Sequence, residues 1–465
     1  MPNVSATCDE QNHPDIEVLM TLTPFEEPPA DGPSAGDHPL PARSGPAAGE
    51  SATITPAGPR YVVLMIFAVF GVYMAFVTPI AISLAIRVEQ LAPGREEYLG
   101  YIAGAGGLGA VLTGPLIGRL SDGLRNRFGR RRPVAVAGLV VGILGLLVMA
   151  RSPNILVLCL GWVIAQAGFN GVITVLLASQ ADRLAPTQRG RVSAMLGVVQ
   201  HLAPVAGALI AGSLSSNTLA LFLVPGIVAM VAVGLFVLAV PEPDTRNAKV
   251  RTAPPTLRSL VGSFTFDPRR SPDFAWNWLG KFLFMLAVTF NTTFTAFFIA
   301  SRMDVSVEEV SGIVAIMAGG ALPATMLGAL GGGFLSDRLQ RRRVFVLAGG
   351  SIFAVGAIIM ALAPSVPVII AGVIIGNLGL GLFASVDMAL MLDVVPDRET
   401  DAGRYVGIYQ FSTAIPQGVA PFIAPLFLLI GATGDDKNYT LLYLVAAALA
   451  VLSGVLVATR ITSVR

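Results

Sequence analysis

From Tyr61 onward the chain alternates between long apolar runs and short polar breaks. About twenty apolar residues are needed to cross a hydrocarbon layer as a helix. Twelve runs approach that length: 61–86, 98–117, 133–150, 154–179, 192–214, 218–240, 276–300, 310–332, 344–363, 366–392, 405–430 and 438–459. Most are closed by Gly, Pro or charge, the residues that end helices. The pattern predicts an all-α membrane protein with twelve transmembrane helices. Residues 1–60 differ: they are rich in Pro, Gly, Ala and acids, lack apolar periodicity, and predict a disordered acidic tail. No basic stretch precedes an apolar core there, so no signal peptide is expected.

The polar breaks carry a second pattern. Gly118–Pro133 holds six arginines and an aspartate, and a shorter version returns 215 residues later at Gly333–Arg343. Pro186 and Pro396 follow the fourth and tenth runs, and Gln200 and Gln410 lie in the fifth and eleventh; both pairs are 210 apart. These echoes predict two pseudo-symmetric six-helix halves, 61–240 and 276–465, joined by a charged cytoplasmic linker, 241–275. Parallel repeats of this kind are the architecture of carriers with two rocking halves.

Composition agrees and adds an orientation. Hydrophobic residues make up 54% and charged residues 13%, with a mean hydropathy of +0.71; a soluble domain carries about a quarter charged residues. The first 60 residues hold nine acids against two arginines, leaving 29 basic and 20 acidic residues beyond them. That excess is parcelled into membrane-flanking loops, which argues against nucleic acid as a partner. Of the 31 Lys and Arg, 25 fall on the side of the N-terminal tail, five on the other, and Lys281 lies within a run. The positive-inside rule then puts both termini in the cytoplasm of a multi-pass plasma-membrane protein.

Several chemistries are excluded. Cys8 and Cys159 are too few for a disulfide framework or a four-ligand zinc site, and neither a metal nor a cofactor is expected. Gly104-Ala105-Gly106-Gly107-Leu108-Gly109 matches the dinucleotide fingerprint but lies in an apolar run without a βαβ context, so it reads as close helix packing. A Walker motif is lacking, and so is any His-rich or acid-rich constellation that would make a membrane-embedded enzyme.

The first arginine loop resembles that of the major facilitator superfamily, Gly-x-x-x-Asp-Arg-x-Gly-Arg-Arg, at Gly118, Asp122, Gly129, Arg130 and Arg131. Gly123 replaces the family's Arg, and four extra residues precede Gly-Arg-Arg; the second copy keeps Asp337-Arg338. The longer form is similar to that of the sucrose–proton and the glycoside–pentoside–hexuronide cation symporters. The resemblance implies the major facilitator fold and a secondary active transporter that moves a small polar solute by alternating access. Proton-coupled sugar or glycoside symport comes first, with drug or metabolite efflux as the alternative. A non-transporting membrane sensor, supported by the acidic tail, is a third class. The expected partners are a small-molecule substrate, a proton or other cation, and membrane lipids, with the chain acting as a monomer.

Three groups of residues are candidates for function. Gly118, Asp122, Arg130, Arg131, Asp337, Arg338 and Arg341 form an expected conformational latch, in which an acid at a helix end meets a basic group or a helix N-terminus. The arginines also suit anionic headgroups. Asp387 and Lys281 are ionisable residues deep in apolar runs, and such residues are functional by default. In the superfamily their helices, the tenth and seventh, face the central cavity, which implies an ion pair with a proton-coupling role. Gln166, Asn170, Gln200, His201, Asn291, Asn377, Gln410 and Gln417 are candidate substrate contacts, because amides both donate to and accept from hydroxyl-rich ligands. Interhelical packing is the competing use of each amide. Trp162, Phe169, Tyr405 and Tyr409 are read as faces for a sugar or as interfacial anchors.

Overall fold

The computed structural model describes residues 57–242, 244–246, 266–395, 402–431 and 437–463. The expectations for the tail through residue 56 and for 247–265 of the linker lie outside these residues.

The first run is longer than its apolar core. It forms α1 (Pro59–Thr78), a π-turn at Pro79–Ser83, and α2 (Leu84–Leu91). Pro79 brings no N–H and its ring crowds the preceding turn, and the wider π-turn absorbs both defects. The rest of the first half is α3 (Glu97–Gly123), α4 (Arg132–Ala150), α5 (Ile155–Arg183), α6 (Pro186–Ser213) and α7 (Thr218–Ala239). Asn154 and Asn217 cap α5 and α7, each accepting a main-chain N–H three residues on.

The second half opens differently from the expected unbroken 276–300. It has α8 (Pro272–Thr293) and α9 (Thr295–Met303), bent by 46° against each other. The hydroxyls of Thr289, Thr292, Thr293 and Thr295 each donate to the carbonyl four residues back, at 2.8, 3.0, 2.7 and 2.9 Å. Such back-bonding competes with the helical ladder and bends helices. Then follow α10 (Val310–Leu339), α11 (Arg342–Leu362), α12 (Val366–Val394), α13 (Ala402–Leu429) and α14 (Tyr439–Arg460). Among the described residues, eleven helices are singly long and apolar enough to cross a membrane, and α8–α9 as a broken span makes twelve.

Within each half the pairings repeat. The contacts α4–α5, α3–α5, α4–α7, α1–α7 and α1–α6 have as counterparts α11–α12, α10–α12, α11–α14, α8–α14 and α8–α13. Lipid is as apolar as leucine, so helix contact here relies on close packing rather than on water exclusion. Glycine supplies the closeness: a Cβ on Gly168 would come 2.6 Å from the carbonyl of Gly138, and one on Gly356 the same distance from that of Gly372.

The halves meet through α3–α13 and α6–α10. On α3, a Cβ at Gly104 would lie 2.9 Å from the Gly418 carbonyl, and one at Gly107 would lie 2.8 Å from the Gly418 Cα. At the matching end of the other pair, Gly212 abuts Ser311. The α3 stripe Gly100, Gly104, Leu108 that packs on α13 continues as Leu112, Leu116 and Leu120, which are exposed. The halves therefore touch at the end away from the arginine loops and part toward those loops.

Candidate functional site

A cavity of about 680 Å³ lies between the halves. It is walled by α1 and its π-turn, α3, α5, α8, α9, α10, α11, α12 and α13. Five of the eight expected substrate contacts line it: Gln166, Asn170, Asn291, Asn377 and Gln417. Gln200 lines a separate, very small pocket beside Tyr73 and Leu196, and His201 and Gln410 are exposed outside the cavity. No Asp, Glu, Lys, Arg or His is among the described lining residues.

Several polar groups of the wall are tied to the backbone. Asn170 Nδ2 donates to the Ala110 carbonyl at 2.7 Å, and Asn377 Nδ2 to that of Val373 at 2.9 Å. A carbonyl partner fixes the orientation of each amide, because only the NH₂ end can donate to it. The threonine hydroxyls of α8 and α9 also give their protons to the backbone. Gln166 Oε1 is buried with no partner among the described residues. What faces the cavity is a set of uncharged amide and hydroxyl groups in an apolar wall.

Asp387 and Lys281 meet, but outside that cavity. Lys281 Nζ is 3.5 Å from Asp387 Oδ2, with Asp387 1% exposed. The hydroxyl of Tyr409 donates to Asp387 Oδ1 and accepts from Asn277 Nδ2 at 3.0 Å. Lys281 Nζ also stands 4.1 Å from the centre of the Tyr409 ring, a cation–π contact. Tyr409 in turn belongs to a small apolar cluster with Phe274, Met391, Val395 and Ile408. A charge pair in so dry a place persists only when its spare lone pairs and protons are also satisfied, and Tyr409 and Asn277 do that.

The arginine loops build a different network. Arg131 is buried, with its guanidinium bonded to Asp182 Oδ2 (3.2 and 3.3 Å) and to Ser121 Oγ (3.0 Å). Arg130 reaches the same Asp182 oxygen at 2.8 Å. Glu242 Oε2 accepts the main-chain N–H of Arg131 and Arg132 at the start of α4, where a helix favours negative charge. Gly129 precedes them with φ 85°, and a Cβ there would collide with Glu242, so only glycine fits. In the second half Arg342 pairs with Asp393 and lies 3.4 Å from Asp337. Arg338 and Arg341 are exposed, and Gly118 lies alongside Thr174. The Asp122 side chain falls outside the described groups. Each network sits inside its own half, tying the start of one helix to the end of the next.

Residues 62–332 and 316–464 match the family model described as Major Facilitator Superfamily. This chain belongs to the Major Facilitator Superfamily. It is a transporter rather than an enzyme. Superfamily relatives match in part. The arabinose-proton symporter of Bacillus subtilis (strain 168) is 32% identical over 111 residues, 23% of each chain. The triacylglyceride transporter of Mycobacteroides abscessus is 28% identical over 213 residues, 43% of this chain and 39% of the relative. The aligned part thus spans well under half of either relative. Among solved structures, a mutant of the nucleoside transporter NupG superposes with a TM-score of 0.70 at 12% identity, over 86% of this chain and 100% of that one. A bacterial homologue of the lysosomal transporter Spinster, inward-facing and unoccupied, gives 0.62 at 18% identity, over 86% and 98%. These two likenesses speak to the superfamily fold.

The sequence pattern does not single out Asp182, Asp393 or Asn277, nor the polar role of Tyr409 in this superfamily member. The first two were findable. Arg131 and Arg342 are 211 apart, and so are Asp182 and Asp393, at the ends of the fourth and tenth spans. The sequence offers Tyr409 as a face for a sugar or as an interfacial anchor, whereas it is buried and lines no part of the cavity.

Proposed function

We propose that this protein is a proton-coupled secondary transporter of a small, uncharged, hydroxyl-rich solute, a sugar or glycoside moved by symport. The observation that carries this reading is the split between an uncharged cavity lined by amides and hydroxyls and a buried carboxylate–ammonium pair outside it. A charged solute would enter the cavity without a counter-charge, at a cost of several kcal/mol. A polyol both donates and accepts, and so matches the Asn, Gln and Thr groups of the wall. Asp387 is the proton acceptor: ionised, it pairs with Lys281; protonated, it releases the ammonium and permits the change of access. The long arginine loop supports the sucrose–proton or glycoside–pentoside–hexuronide subgroup. By the charge asymmetry of its loops the protein lies in the plasma membrane with both termini in the cytoplasm. The cavity then opens inward.

The test uses the full chain in proteoliposomes with an imposed pH gradient and a panel of labelled pentoses, hexoses and sucrose. Wild type should accumulate one of them against its gradient. Asp387→Asn should keep solute exchange at equal concentrations but lose accumulation; full gradient-driven accumulation in that variant would refute the proton role.

A second reading, efflux of an apolar metabolite or drug, has its own support. Most of the cavity wall is Val, Ile, Ala, Met and Phe, and the triacylglyceride transporters are among the relatives. Direction separates the two: an efflux carrier would deplete the solute under the gradient that drives a symporter to accumulate it.

A further inference from the structure

Tyr409 joins three helices. Its side chain projects from α13, donates to Asp387 on α12, accepts from Asn277 on α8, and carries the Lys281 ammonium over its ring. Both members of the ion pair thus touch α13 through one side chain, which is 1% exposed. Eight residues further along the same helix, roughly 12 Å at the helical rise, Gln417 lines the cavity. Its neighbour Gly418 packs against Gly107 and Leu108 of the other half, and Phe422 against Gly104. Pro416, Pro421 and Pro425 interrupt this stretch; each removes a ladder bond and makes the helix able to flex at defined points. One element therefore touches the ion pair near its start, lines the solute cavity in its middle, and forms the seal between the halves toward its end.

We propose that Tyr409 is a positioning residue that converts the charge on Asp387 into the position of α13, and through Gln417 and Gly418 into the state of the cavity and the seal. This rests on Asp387 being the proton acceptor of the reading above. With Asp387 ionised, the phenol O–H donates to a carboxylate, a charge-assisted bond roughly twice as strong as a neutral one. When a proton adds to the carboxylate, Lys281 loses its counter-charge and the phenol is left with a neutral partner. The hold on α13 then weakens. When the proton leaves, the carboxylate recaptures both partners and α13 returns. Among the described residues the titratable groups that act on Asp387 are Lys281 from α8 and Tyr409 from α13, and Asn277 joins them through the phenol oxygen.

The experiment combines two measurements on the full chain in lipid nanodiscs, with pH as the probe. Nitroxides at Phe128→Cys and Gln340→Cys, both exposed in the arginine loops, report the separation of the open ends by pulsed electron spin resonance, in a Cys8→Ala/Cys159→Ala background. Infrared spectroscopy follows the carbonyl band of protonated Asp387. In wild type the separation should follow the band. In Tyr409→Phe, which keeps the ring and the contact with Lys281, the band should still titrate while the pH-driven change in conformer ratio falls about fivefold, as expected when the difference between a charge-assisted bond to the carboxylate and a neutral one to the acid is lost. Asn277→Ala, which frees the phenol oxygen and leaves Asp387 untouched, should reduce the same response to a smaller degree and guards against a folding defect in the first variant. A wild-type response in both variants would overturn the role of Tyr409 alone. A wild-type response in Asp387→Asn would overturn the proton reading beneath it.

Discussion

Lys281 and Asp387 stand about 3.5 Å apart in a setting almost without water, so the penalty for separating them is predictable. Removing one partner leaves an uncompensated buried charge, which costs about 3–5 kcal/mol, whereas replacing both by apolar groups is close to neutral. Lys281→Met should therefore lower the unfolding temperature sharply, and Lys281→Met/Asp387→Leu should recover most of it. Equal losses in the single and double variants would contradict a buried pair. These two residues were legible because ionisable groups inside apolar runs stand out. Their supports were not. Asn277 and Tyr409 lie where polar and aromatic residues also serve as interfacial anchors, and spacing alone does not say which helix face turns inward. The same ambiguity separated Gln166 and Asn170, which line the cavity, from Gln410, a residue beside buried Tyr409 that turns outward. When lipid and protein core are equally apolar, no amphipathic stripe marks the inner face.

At the scale of helices, the small residues set the distances. Gly356→Val would drive a side chain into the α12 backbone at Gly372 and Gly376, where nothing flexible can yield. Overpacking of this kind costs about 1–3 kcal/mol; a thermal unfolding curve unchanged from wild type would show that α11 and α12 are not in this contact. Asp182→Ala should cost a comparable amount, since it leaves the buried Arg131 guanidinium short of its main acceptor; the same assay checks it, and rescue by Asp182→Glu would tie the loss to the charge. The number and order of spans were legible, because each needs about twenty apolar residues and ends in Gly, Pro or charge. The bend between α8 and α9 was not: Asn291-Thr292-Thr293-Phe294-Thr295 contains neither Pro nor Gly, and the hydroxyls that bend it are as common in straight helices.

The whole molecule is held in its present state by the end away from the arginine loops. There α3 and α13 touch through glycines, and Lys437, just before α14, lies 3.9 Å from Glu97 at the start of α3. Beside them burial raises the Glu96 carboxyl from 4.5 to about 7, with Lys437 opposing and Glu89 and Glu97 adding to the rise. An acid whose pKa is raised in the folded protein adds stability fully below about 4.5 and loses it as pH climbs through about 7. The unfolding temperature should accordingly fall between those limits, and Glu96→Gln should flatten that fall; an identical slope in both proteins would remove Glu96 from the account. Gly107→Leu, which places a side chain against the Gly418 backbone, should open this end and close the other. The pairing of the halves was legible from the repeated arginine loops, but which end was closed was not, since one sequence serves both states of a carrier. The measurement that bears most directly on coupled transport is proton movement triggered by solute alone. With the full chain in proteoliposomes holding a pH-sensitive dye and no imposed gradient, adding the sugar found in the uptake panel should acidify the lumen in wild type and leave it unchanged in Asp387→Asn. Solute entry without acidification, or alkalinisation on entry, would contradict symport.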